Sequence, residues 1–177
     1  MNEFSRPYRL ESLSAEPFAA EIEAGPAERE ALAGRFGLVS LDALSARALL
    51  VREGETVSAD GTLRAAVAQS CVATAEPVEA SVEEAFRVEF RPMPADGRPE
   101  EEVELGEGEL DVVFYEGASI DLGEAVAQTL LLALDPYPRS PAAEAALRGA
   151  GVKSEEEARA ESSPFAALAA LKEKLGE

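Results

Sequence analysis

Hydrophobic and polar positions alternate most clearly in two neighbouring runs. Residues 62–72 put Leu63, Ala65, Val67 and Cys71 on one face. Residues 78–90 put Val78, Ala80, Val82, Phe86, Val88 and Phe90 on one face and Glu79, Ser81, Glu83, Arg87 and Glu89 on the other, with only Glu84 breaking the apolar side. A period of two marks a half-buried strand. The short connection at 73–77 makes the pair an antiparallel hairpin with one wet face. Residues 18–23 and 46–52 predict two more strands, and Leu110, Val112 and Phe114 mark another.

Helical spacing appears in three places. Over residues 27–36, Leu32 and Phe36 share a buried face, Pro26 fits the first helical position, Glu28 and Glu30 favour the positive end, and Gly37 stops the run. Residues 121–134 give the strongest helix, with Asp121 as cap, Glu124 as its capping-box partner and Pro136 as the stop. The last turns, residues 130–134, are apolar all round, which predicts burial on several sides. A final short helix opens at Ser163 and Pro164 and turns Phe165, Leu168 and Leu171 or Leu175 towards one side.

These elements predict an α+β fold, a mainly antiparallel sheet of about five or six strands with two or three packed helices. The chain's 177 residues fit one domain, 1–177. Much of the 46% hydrophobic content is alanine and only 6% is aromatic, so the core is modest. Residues 92–108, rich in proline and glutamate, predict a mobile acidic loop. Residues 140–163, rich in Ala, Glu and Ser, predict a loosely ordered segment. No run of about 18 apolar residues exists to cross a membrane. The first ten residues lack the apolar region of a signal peptide, and the single cysteine suits a reducing compartment, so a cytoplasmic location is expected.

Charge sharpens the picture. The net charge is -19, and residues 76–124 alone hold 16 acidic and 3 basic groups. Phosphates are bound by clustered Lys and Arg, and no such cluster occurs here. Free nucleic acid is therefore disfavoured as a partner, whereas basic proteins are electrostatically favoured. Solubility alone also accounts for an acidic surface.

The chain holds no histidine, which removes the usual triads and most metal sites. Neither a P-loop nor a dinucleotide fingerprint is present, and Gly106 and Gly108 sit among acids as a flexible turn. Carboxylate-only metal chemistry has one pair to offer, Asp111 and Asp121, and capping already explains Asp121. Cys71 on an apolar strand face reads as a small core residue. No catalytic residue, metal ligand or cofactor site is assigned, and the chain is not expected to be an enzyme.

Five motifs occur in order: EFSRP at 3–7, QSCVATAEPV at 69–78, IDLG at 120–123, LDPYPR at 134–139 and PFAALAALK at 164–172. Together they resemble the YceD family, the large ribosomal RNA subunit accumulation proteins of bacteria and plastids. The resemblance implies a non-enzymatic role in synthesis, processing or accumulation of 23S rRNA during large-subunit assembly. It implies as partner a large-subunit ribosomal protein or the assembling large subunit. Many members carry Cys-x-x-Cys at the hairpin and further cysteines after the buried helix, suggesting a metal. Here the second position is Thr74 and no cysteine follows Pro138, so the chain resembles a cysteine-poor branch and no zinc site carries over. Asp135, Pro136, Tyr137 and Pro138 read as a helix stop or as a preorganised docking segment. Glu100, Glu101, Glu102 and Glu104 are candidates for contacting a basic partner. The competing readings are a carboxylate- or metal-dependent RNA-processing enzyme and an acidic adaptor unrelated to ribosomes.

Overall fold

The structure, a computed structural model, describes residues 3–94 and 111–153. A two-stranded ribbon pairs β1 (Pro7–Arg9) with a later strand near residue 120, and one 3₁₀ turn, Leu10–Ser12, follows β1. The main sheet sets β2 (Phe18–Glu23), β3 (Ser40–Glu53), β4 (Thr56–Ser70), β5 (Pro77–Pro92) and β6 (Asp111–Tyr115) side by side in that order. Between β2 and β3 lies the helix α1 (Pro26–Phe36); β7 (Ser119–Asp121) completes the ribbon and leads into α2 (Leu122–Ala133), with α3 (Ala143–Gly149) beyond it.

The predicted hairpin is β4 with β5, in register from Val57 opposite Phe90 to Ser70 opposite Pro77. The strand expected at 46–52 is longer, and its register against β4 shifts between Leu41 and Ala43. The sheet is mixed rather than wholly antiparallel, because β6 runs parallel to β5, with Val88 beside Asp111 and Pro92 beside Tyr115. Hydrophobic alternation carries no strand direction. The long connection between 92 and 111 supplies the crossover that a parallel pair needs.

α1 begins with Pro26 at its first position, and Gly37 ends it at φ 66 while Leu38 N–H donates to Ala33 O. Leu32 is fully buried, and Phe36 is half-buried beside it. Asp121 caps α2 by accepting from Glu124 N–H at 3.2 Å. The Glu124 carboxylate does not return to the cap; it takes two hydrogen bonds from Arg35 on α1.

α2 buries Leu122, Val126 and Leu130 on one stripe, lying against β5, β4 and β1. Its last turns are not buried on several sides: Leu131 and Leu132 are 45% and 80% exposed. The sheet covers one face, and no described element stands opposite the other. Of the segment expected to be loosely ordered, 140–163, the described part holds α3, and residues beyond 153 lie outside the described residues. The acidic loop beyond residue 94, with Glu100, Glu101, Glu102 and Glu104, and the helix expected at 163 lie outside the described residues.

The N-terminal segment completes the core. Phe4 is fully buried, Arg6 O accepts from Leu122 N–H, and Asp121 accepts from Arg6 N–H (2.8 Å) and the Ser5 hydroxyl (2.7 Å). A Cβ on Gly123 would stand 2.3 Å from Phe4 O, so only glycine lets this segment pass. The EFSRP and IDLG motifs, far apart in sequence, therefore meet. Arg6 also grips both oxygens of Glu28 at 2.7 and 2.8 Å, which brings that carboxyl down to about 2.

Candidate protein-docking surface

The tip of the β4–β5 hairpin is closed from within and clasped from outside. Glu76 O accepts from Cys71 N–H (2.8 Å), and Cys71 O accepts from Ala75 N–H (2.9 Å), with Ala75 at φ 59. The chain leaving α2 then crosses this tip. Gln69 Nε2 donates to Asp135 O (2.8 Å), and Val72 N–H donates to Pro138 O (2.9 Å). Ser140 N–H donates to Cys71 Sγ (3.2 Å), and the Ser140 hydroxyl donates to Glu76 Oε2 (2.9 Å). The motifs at 69–78 and 134–139 are thus the two sides of one clasp.

Cys71 is a core residue, 3% exposed. Its thiol is brought down to about 6, chiefly by the Ser140 backbone N–H and then by the Thr74 hydroxyl, against desolvation that raises it. Thr74 lies within hydrogen-bond reach of Ser140 Oγ (3.1 Å) and Glu76 Oε2 (3.1 Å). One thiol, two hydroxyls and one carboxylate, satisfying each other, do not fit the thiolate and imidazole set of a structural zinc.

Within the clasp, Asp135 holds the turn by accepting from Tyr137 N–H at 2.8 Å. Pro138 is buried, whereas Asp135 and Pro136 are exposed and Tyr137 is 71% exposed. The helix-stop and docking readings of this segment are therefore compatible: its backbone is fixed and its ring faces solvent. Exposed apolar side chains on the flanking elements are Val72, Leu131 and Leu132.

The wet face of the sheet is a lattice of charge pairs. Arg47 pairs with Glu21, Arg64 with Glu83, Arg87 with Asp60 and Arg91 with Glu89. The first three are directly cross-strand. A shallow concavity of about 760 Å³ on this face is lined by Glu21, Arg47, Arg64 and Glu83, among others, and its arginines are already engaged. Exposed pairs of this kind add little stability; their larger effect is to offer no free cationic stripe. Asp111 opens β6 in solvent, while Asp121 is taken up by its cap and the N-terminal segment, so the two carboxylates flank separate structural tasks.

What the sequence did not disclose is the bare half of β5. From Pro77 to Ala85 no residue is buried, although Val78, Ala80 and Val82 continue the apolar face; burial begins at Phe86. Glu84, the one break in the pattern, stands at that boundary and was the available signal.

No curated protein matches the chain, and no solved structure does. The family model described as Large ribosomal RNA subunit accumulation protein YceD matches residues 59–172, which runs from near the start of β4 through the clasp and past α3. On that match, the chain belongs to the YceD family.

Proposed function

We propose that this chain supports accumulation of large-subunit ribosomal RNA as a non-enzymatic factor, and that it does so through protein contacts during assembly of the large subunit. The family membership supports the link to that RNA. The observation that carries the protein-mediated part is the wet sheet face, where each of the arginines 47, 64, 87 and 91 is already paired with a carboxylate. Binding to naked RNA needs Lys and Arg free to displace counterions. An acidic surface instead speeds encounter with a cationic protein, and salt weakens that attraction. The partner in this reading is a basic large-subunit protein or the assembling particle, met in the cytoplasm.

Affinity capture of the full chain from lysate, with and without RNase, tests the reading. Recovery of the same large-subunit proteins in both arms is expected. Loss of all of them on RNase treatment, or tight binding to purified 23S rRNA, would contradict it. RNA-degrading activity in the purified protein would favour the processing-enzyme alternative.

A further inference from the structure

α2 lays one stripe against the sheet and turns an apolar end outwards. Leu131 and Leu132, 45% and 80% exposed, stand one turn before Asp135, where the clasp begins. On the clasp itself Val72 and Tyr137 are 56% and 71% exposed, and Val72 N–H donates to Pro138 O beside that tyrosine. Of the ten large apolar side chains exposed among the described residues, four therefore gather at this end. A set of this kind marks a contact surface. The same end is electronegative: α2 has no basic residue in its last turn, and the exposed Asp135 adds its carboxylate to the negative pole of the helix.

We propose that this face is the seat of the chain's own C-terminal segment, residues 164–175. That segment lies outside the described residues, and its sequence fits the seat in pattern, charge and reach. Phe165, Leu168, Leu171 and Leu175 recur at helical spacing and supply one apolar stripe. Lys172 and Lys174, two of the chain's three lysines, stand among the last of these positions and match an electronegative rim. Ser140, whose N–H donates to Cys71 Sγ, leads directly into α3, and the seven residues of that helix span only about 10 Å. Residues 154–163 then bridge up to about 33 Å when extended. A second copy is the weaker occupant. Two chains of net charge -19 repel one another, whereas residues 164–177 hold two lysines and two glutamates and are neutral. A tethered segment also acts at roughly millimolar effective concentration. Seating there gives the PFAALAALK motif at 164–172 a task, closing the outer face of α2.

The test uses the full-length protein with no partner present, so its outcome is independent of the proposed ribosomal contact. Leu132→Glu charges the seat at an exposed position, and Leu168→Glu charges the segment. Backbone amide shifts and the rate of tryptic cleavage at Lys172 and Lys174 are read together. Leu168→Glu is expected to shift the amides of Gln128, Leu131, Leu132 and Tyr137. Leu132→Glu is expected to speed cleavage at the two lysines about tenfold, by raising the unseated population. The double variant should be cleaved no faster than either single one, because both remove the same contact. Both readouts should be independent of protein concentration. If Leu132→Glu fails to fold, the amide shifts caused by Leu168→Glu decide alone. Shifts confined to another face, or cleavage that the variants leave unchanged, overturn the proposal. Effects that appear only as concentration rises also overturn it, by assigning the face to a second copy.

Discussion

One strand, β5, is built twice over. From Phe86 to Phe90 its apolar residues are buried under α2 and its outer edge pairs with β6. From Val78 to Ala85 the same period-two pattern continues, yet no residue is buried: Val82 packs against the core only in part, and no described strand pairs with the outer edge. The pattern supplies apolar side chains to both halves; the covering elements decide which half becomes core.

The largest effect should come from removing the cover. Leu130→Asp puts a charge where α2 is fully buried, and the protein is expected to be insoluble or unfolded, losing well over about 4 kcal/mol. A soluble variant with a cooperative thermal transition would show that α2 does not seal this half. Within the strand, Phe90→Ala should cost about 3–5 kcal/mol. Val82→Ala should cost less than about 1 kcal/mol, because that side chain is only half-buried. Equal losses in denaturant titrations of the two would erase the comparison.

A smaller effect tests how α2 is held in place. Gly123→Ala drives a methyl into the Phe4 carbonyl and should cost about 1–3 kcal/mol by displacing the N-terminal segment. Unchanged thermal stability would mean that this segment is not part of the core.

The smallest effects are pH dependences away from β5. Glu28 is lowered from 4.5 to about 2 by Arg6, so its contribution is present above the usual carboxylate value and fades as pH falls towards 2. Glu28→Gln should flatten the loss of stability across that window. Cys71 is lowered from 9 to about 6, so its contribution grows between pH 6 and 9. Cys71→Ala should remove that rise in chemical denaturation curves, and an unaltered slope would show that the clasp does not hold a thiolate.

The hairpin, both long helices and the cap at Asp121 were legible in the sequence because each is a local pattern. The β1–β7 ribbon was not, since strands of three residues are too short to show a period. The direction of β6 was not legible either, because it follows from a crossover rather than from side-chain alternation. The exposure of Leu131 and Leu132 was missed for a related reason: an all-apolar turn reports what could be buried, not how many faces meet a partner. Of the candidate docking residues, Asp135 to Pro138 are placed together on the clasp with Tyr137 outermost, while the four glutamates at 100–104 lie outside the described residues. The clasp itself joins Cys71 to Ser140 and Gln69 to Asp135, contacts that no short-range pattern encodes.

The central claim, that β5 is core in one half and in the other has no strand beside its outer edge among the described residues, is tested most directly by residue-resolved amide exchange along this strand in the free protein. Val78, Ala80, Val82 and Glu84 should exchange slowly through their bonds to β4, and Glu79, Ser81, Glu83 and Ala85 should exchange fast, the alternation ending where β6 begins beside Val88. Uniform protection from 78 to 85 would show an edge already covered, and uniformly fast exchange would show that this half does not pair stably with β4; either result would contradict the account.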